Sequence, residues 1–328
     1  MSPPPREIVD HVVGAASRAP SVHNTQPWRF EVDGGVLDLW ADRSRQLPVL
    51  DPDGRQLHLS CGAALQHAKV GARALGVQAR VLLLPDPAQP DHLARLDLAL
   101  GAPPTSDEVE LADAALRRST HRSPFAPTEV PEAVLEVLRF AVDAEGAGLR
   151  TVRDEDDLVS LTVLLSHADE EEARDPAYRE ELARWADLQG EPHQGIPSGA
   201  LDPDSGRGSS LALRQFGTTP APAESDDPPP AEHPDVVVVV THADAPYDWL
   251  IAGQALGALL LEAARNGVLA QPLGQVTDKD AYRLRLRHEL GLSGVPQMAL
   301  RLGFPQSATT RTGRRSLGAI LRPTEERS

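Results

Sequence analysis

Residues 62–79, GAALQHAKVGARALGVQA, and residues 253–270, GQALGALLLEAARNGVLA, can be laid over one another without a gap. Seven of the 18 positions agree: Gly62 with Gly253, Ala64 with Ala255, Leu65 with Leu256, Ala72 with Ala263, Gly76 with Gly267, Val77 with Val268 and Ala79 with Ala270. In each copy apolar residues recur at three-to-four spacing and then give way to Gly-Val, so each reads as a helix that stops at glycine and leads into a strand. Further on, Leu98-Ala99-Leu100-Gly101 and Leu300-Arg301-Leu302-Gly303 repeat the role of a strand closed by glycine. Alanine-rich helices resemble one another by composition, but a shared order of helix, glycine, strand and glycine points to an internal duplication. Small residues such as Gly253 and Gly257 would let the two helices pack closely.

Around these copies helix and strand signals alternate. The spacing of apolar residues predicts helices over Ile8 to Ser17, Leu57 to Leu75, Glu108 to Arg118, Pro131 to Glu145, Ala252 to Arg265 and Asp278 to Leu290. Strands are predicted over Trp28 to Val32, Val36 to Trp40, Arg80 to Leu84, Ala94 to Leu100, Leu149 to Val152, Val236 to Thr241 and Met298 to Leu302. Asp33-Gly34-Gly35 is a hairpin turn signal, since glycine supplies the positive φ such turns need. Helices mixed with a hairpin predict an α+β sandwich rather than a purely parallel sheet. We divide the chain at 1–105 and 106–328, with an insertion at about 166–233 inside the second half. That insertion holds an acidic run (Asp169 to Glu172), a predicted helix from Pro176 to Leu188, Gly/Pro/Ser-rich sequence and the run TPAPAESDDPPPAEHP from Thr219 to Pro234. A proline run with few apolar residues neither pairs in a sheet nor packs, so it reads as an exposed loop. Long irregular insertions of this kind often serve as lids or binding loops.

Composition narrows the function. The chain of 328 residues carries 32 Lys plus Arg against 48 Asp plus Glu, a net charge of −16. Such a field repels polyanions and argues against broad nucleic-acid or anionic-membrane binding. The one cysteine, Cys61, excludes an intramolecular disulfide and a multi-cysteine zinc site. No apolar run reaches the ~18 residues of a membrane span, and the proline-rich start lacks the form of a signal peptide, so a cytoplasmic protein is expected. A P-loop, a dinucleotide glycine fingerprint, a nucleophile elbow and a helical histidine pair are all missing.

Two segments carry polar chemistry instead. In Ser17 to Phe30, SRAPSVHNTQPWRF, a loop bearing Ser21, His23, Asn24, Thr25 and Gln26 joins a helix to a strand. Grouped amides and hydroxyls suit the edge of a heterocycle or a polyol chain, and suit equally a turn that hydrogen-bonds to itself. In Arg117 to Phe125, RRSTHRSPF, three arginines with Ser119, Thr120 and Ser123 form a compact anion site, because guanidinium forks and hydroxyls match phosphate geometry. Arg311, Arg314 and Arg315 make a further basic group near the C-terminus.

Ala19-Pro20-Ser21 with Asn24-Thr25-Gln26-Pro27-Trp28-Arg29-Phe30 resembles the flavin loop of the nitroreductase superfamily, and Arg118-Ser119-Thr120-His121-Arg122 resembles its Arg-x-Ser-x-Arg phosphate motif. Over nearly its full length the chain is similar to the actinobacterial Acg family of NAD(P)H nitroreductase-like proteins. Pro272-Leu273-Gly274-Gln275, Arg314-Arg315-Ser316-Leu317, the stretch from Tyr178 to Trp185 and Gly195-Ile196-Pro197 support the match. The resemblance implies a tandem nitroreductase-like fold, two halves forming an intrachain pseudo-dimer, with FMN at their interface. It assigns Arg118, Ser119, Arg122 and Arg314 to the FMN phosphate, with Arg315 beside them. It assigns Pro20, Ser21, Asn24 and Gln26 to the ring and ribityl side, and Pro272, Leu273 and Gly274 to a backbone stretch running past the ring. The first half has the loop without the arginine motif, whereas the second has the motif without the loop, which is lost between Ala144 and Arg150. One composite site, hence one FMN per chain, is expected. Its implied partners are NAD(P)H and a nitroaromatic or quinone-like acceptor. The rival expectation is a protein that sequesters FMN under a lid and reduces little. Monomer and homodimer both remain open.

Overall fold

Gly62 and Gly253, aligned in the repeat, lie against each other. A Cβ built on Gly62 would sit 2.9 Å from Gly253 Cα, and one on Gly253 would sit 2.8 Å from Gly62 Cα. The two residues belong to long helices that cross with backbones touching, which glycine alone permits. This computed structural model describes residues 5–186, 193–197, 211, 234–306 and 311–323.

In chain order, α1 (Arg6–Ser17) leads to the hairpin β1 (Trp28–Asp33) and β2 (Val36–Ala41), then α2 (Arg55–Arg73), β3 (Val77–Leu83) and β4 (His92–Leu100). After α3 (Ser106–Arg117) come α4 (Glu132–Ala144), β5 (Gly148–Val152), α5 (Glu155–Arg174) and α6 (Pro176–Trp185). Then follow β6 (Asp235–Thr241), α7 (Pro246–Arg265), β7 (Leu269–Pro272), α8 (Gln275–Asp278), α9 (Asp280–Glu289), β8 (Val295–Gly303), α10 (Leu317–Ile320) and β9 (Leu321–Pro323). One sheet has the order β3-β4-β2-β1-β9 and the other β5-β6-β8-β7. Read from opposite ends, both follow one plan: hairpin-like pair, long helix, strand, strand. Among the described residues the named strands all pair antiparallel except β9, which lies parallel to β1. The fold is therefore the expected α+β class.

The helices α2 and α7 form the seam. Of the 19 residues of α2, 16 are buried, as expected of a helix enclosed on all sides. Leu250 of α7 belongs to the core over the first sheet, whereas Leu59 of α2 belongs to the core over the second. Each half thus completes the other's core. Leu59 and Leu250 occupy equivalent places in the extended repeat, as do Gln66 and Gly257, which also touch: a Cβ on Gly257 would lie 3.0 Å from Gln66 Cβ.

Most predicted elements are present within a few residues of their expected ends. Others differ for physical reasons. The insertion expected to begin near Ser166 starts inside α5, a continuous helix whose Leu161, Leu164, Leu165 and Ala168 are buried against the second sheet. The acidic run occupies its last turns. The helix predicted from Asp278 to Leu290 is present as α9, and the short α8 before it is set off by Lys279, whose φ of −106° and ψ of 136° are extended. The strands β7 and β9, four and three residues long, are too short to show a period. The proline-rich run lies outside the described residues apart from Pro234. Among the described residues no helix is long and apolar enough to cross a membrane. Cys61 is fully buried with its Sγ 3.2 Å from Pro27 O, and burial pushes its thiol pKa well up, so it is chemically inert.

Candidate functional site

The arginine motif hangs off the end of α3. A capping box of Thr105 and Glu108 opens that helix, and at Arg118 the backbone leaves it with φ −57° and ψ 128°. The chain then runs beside β7: Thr120 bridges Ala270, and the His121 N–H donates to Ala270 O at 3.1 Å. Phe125 anchors the far end in the core, with the Arg301 guanidinium 4.8 Å over its ring. Gly303 is required there, because a Cβ would meet Phe125 Cγ at 2.5 Å.

The polar loop after α1 comes from the other half. Ser21 Oγ accepts from the Gln26 N–H at 2.9 Å, and the Val22 N–H donates to Ser60 Oγ on α2 at 3.2 Å. His23, Asn24 and Gln26 all take positive φ, 45°, 54° and 51°. Three such non-glycine residues cost on the order of 1 kcal/mol each, so their surroundings must hold them. Side-chain amides supply that hold. Asn24 Nδ2 donates to Gly195 O (3.0 Å) and Gly313 O (3.2 Å), and its Oδ1 accepts from Arg314 Nη1 at 3.2 Å. Gln26 Nε2 donates to His193 O at 2.7 Å, while its Oε1 accepts from the Arg315 N–H at 2.8 Å. The loop therefore clasps both the insertion and the C-terminal segment.

Between loop and motif runs one cleft with two ends, continuous through Pro20, Ser21, Thr120, Arg122 and Ile196. At one end stand Arg118, Ser119, Arg314 and Asn24. The other is walled by Leu59, Leu256, Met298 and Pro272, with the amides of Gln56 and Gln271 and the hydroxyl of Ser60 among them. An anionic group fits the first end and a flat ring with polar edges fits the second.

Electrostatics sharpen the first end. Burial, then the neighbouring Arg314, pulls the pKa of Arg118 down to about 9. Burial brings Arg122 to about 10, and burial with Arg18 brings Arg314 to about 10. All three stay charged at neutral pH. The Nε atoms of Arg118 and Arg314 are buried and have no hydrogen-bond partner among the described residues. His67 on α2, also buried, is pushed to about 3 by desolvation and then by Arg118, so it is neutral. Buried, under-satisfied guanidiniums are costly unless an anion joins them.

Of the residues singled out from sequence, Pro20, Ser21, Asn24, Arg118, Ser119, Arg122, Pro272, Gly274 and Arg314 line this cleft. Gln26, Leu273 and Arg315 do not. The Gln26 amide is consumed by the clasp and is fully buried. Leu273 points into the core under the second sheet, and its N–H is taken by Ala299 O at 2.8 Å, so it presents no donor to the cleft. Arg315 donates to Gln26 O and Ala319 O and lies 3.6 Å from Asp42. Sequence reasoning overlooked Gln56 and Ser60; they stand one turn apart on α2 among other polar residues such as Arg55 and His58, so nothing in the sequence marks them out. The insertion contributes Ile196, which is 1% exposed and lines both ends. It is held by its N–H to Trp185 O at 2.8 Å, and α6 is pinned in turn by Glu181, which accepts from Val49 and Leu50 N–H groups.

No protein-family profile matches the chain. The Mycobacterium tuberculosis protein named "Putative NAD(P)H nitroreductase Rv3131" is 34% identical over 332 aligned positions, covering 98% of this chain and 93% of its own. A second from that organism, "Putative NAD(P)H nitroreductase acg", is 31% identical over 300 positions, covering 91% of this chain and 89% of its own. The solved FMN-dependent nitroreductase NfnB from Mycobacterium smegmatis, in complex with NADPH, is matched at 18% identity and a TM-score of 0.41 over 66% of this chain and 100% of that one. The chain belongs to the Acg family of NAD(P)H nitroreductase-like proteins.

Proposed function

We propose that the chain is an FMN-dependent oxidoreductase of nitroreductase type, with one flavin per chain in the composite cleft. The observation that carries this reading is the buried Arg118 guanidinium beside the half-buried Arg314, each with an Nε that has no hydrogen-bond partner among the described residues, at the end of a cleft whose other end is apolar. Arg118, Arg122 and Arg314 would hold the phosphate, with Ser119 donating to it. Pro20 and Ser21 would border the ribityl chain. Pro272 and Gly274 would pass their backbone along the ring, and Gln271 and Gln56 would meet its polar edges. When bound, FMN supplies hydride acceptance from NAD(P)H and transfer to a small aromatic acceptor such as a nitroaromatic or quinone. The apolar walls Leu59, Leu256 and Met298 keep water from the ring.

The reading treats residues 1–105 and 106–328 as two nitroreductase-like units acting as an intrachain pseudo-dimer. Mutual contact of equivalent residues, Gly62 with Gly253 and Gln66 with Gly257, supports it, since a two-fold interface pairs equivalent patches. A second reading, FMN held under a lid with little turnover, is favoured by Ile196, which the insertion places in the cleft. Anaerobic mixing of flavin-loaded protein with NADH or NADPH separates the two. Bleaching of the flavin absorbance is expected. Bleaching by dithionite but by neither nicotinamide would establish the sequestering reading instead, and a protein that takes up no FMN would contradict both.

A further inference from the structure

The arginine end of the cleft holds more positive charge than one phosphate neutralises. Arg18, Arg118, Arg122, Arg311 and Arg314 all line it, and among the described residues no aspartate or glutamate does. This concentration stands in a chain of net charge −16. The groups crowd one another: Arg118 Nη2 at 3.4 Å and Arg314 Nη2 at 3.3 Å donate to the same carbonyl, that of Arg18. Arg118 is only 9% exposed, and its Nε has no partner among the described residues. Mutual repulsion adds to burial in pulling Arg118 and Arg314 down. A phosphomonoester brings about two negative charges at neutral pH. Assigned to the inner Arg118, Arg122 and Arg314, it leaves Arg18 and Arg311, both exposed at the same mouth, with no carboxylate partner among the described residues.

We infer that Arg18 and Arg311 form an outer anion subsite that takes a second phosphate group beside that of the flavin. The inference rests on the reading of the cleft as an FMN site, because the charge count starts from the inner three arginines being used. Paired guanidinium forks match phosphate oxygens, and an exposed mouth lets the group exchange while the inner one stays. Two sources carry this chemistry: the 2′-phosphate of a phosphorylated nicotinamide donor, and free inorganic phosphate. Continuity of the cleft through Thr120 and Arg122 allows one extended ligand to reach both the apolar end and this mouth.

Flavin-loaded protein is titrated in phosphate-free buffer with 2′-AMP, adenosine and inorganic phosphate by calorimetry, with flavin absorbance recorded throughout. 2′-AMP is expected to bind at least tenfold tighter than adenosine, and the double variant Arg18→Gln, Arg311→Gln is expected to erase that margin while FMN is retained. Inorganic phosphate binding as tightly as 2′-AMP, and lost in the same variant, supports the subsite and assigns it to free phosphate. Tighter binding of 2′-AMP assigns it to the nucleotide. Failure of 2′-AMP and phosphate to bind, or binding indifferent to the two substitutions, overturns the subsite and leaves the flavin reading standing if FMN stays bound. A protein that takes up no FMN overturns both.

Discussion

The two corners where the halves meet are built from equivalent elements and have opposite contents. At one corner α1 hands over to β1 through the ten residues 18–27, and at the other α4 hands over to β5 through the three residues 145–147. Ten residues are enough to stand off the seam and enclose a cleft. Three are not: Gly146, with φ +85°, turns the chain straight back, and a Cβ there would lie in ordinary contact with Ile251 of α7 at 3.8 Å. Ile251 is the repeat equivalent of Ser60, which at the first corner accepts a hydrogen bond from the loop. The closed corner is sealed by Lys69, whose Nζ lies 2.6 Å from Glu145 and 3.2 Å from Gln254 Oε1. Equivalent elements therefore do not by themselves enclose a cleft; loop length and one or two polar residues on the seam helices decide it.

The largest expected effect strikes what the corners share. Gly253→Val forces the backbones of α2 and α7 apart, since its Cβ would meet Gly62 Cα at 2.8 Å. A loss of more than about 4 kcal/mol is expected, enough to abolish the cooperative melt by calorimetry.

The next effect belongs to the open corner alone. His67, equivalent to Ala258 at the closed corner, has its folded pKa lowered to about 3. The unfolded chain therefore binds the extra proton, and the stability His67 contributes is present above about pH 6.5 and lost as pH falls toward 3. Roughly 4 kcal/mol is at stake over that window. The urea midpoint of flavin-free protein should fall with acid, and His67→Ala should flatten that slope. An unchanged slope would show that His67 is not held neutral by its burial beside Arg118.

Smaller still is the clasp. Gln26→Ala leaves His193 O and the Arg315 N–H without their partner, at a cost of about 2 kcal/mol. A lowered Tm together with weaker flavin retention is expected, because the insertion and the C-terminal segment both loosen at the cleft. The smallest effect is at the closed corner. Lys69→Met breaks a partly exposed ion pair, costs less than about 1 kcal/mol and should leave flavin content unchanged.

Long periodic elements were legible from sequence because tertiary structure agrees with their local pattern. The copies at 62–79 and 253–270 were legible for a stronger reason: a glycine at a helix crossing admits no substitute of larger size. Arg118 and Arg122 could be picked out because clustered guanidiniums are rare in so acidic a chain. The clasp role of Gln26 could not, since an amide looks the same whether it faces a ligand or its own chain. β9 was hidden as well. Its three residues carry no period, and its partner β1 lies at the opposite end of the chain. In α5 the acidic residues mask the buried stripe from Leu161 to Ala168, so the helix read as the start of an irregular insertion.

The central claim is one flavin per chain, held at the open corner. The most direct measurement is the FMN-to-protein ratio, by absorbance after reconstitution and desalting, for the natural chain and for Arg118→Ala. A ratio near one that falls at least tenfold in the variant, while its circular dichroism is kept, is the expected result. A ratio near two, or an Arg118→Ala protein that retains its full flavin, would contradict the account.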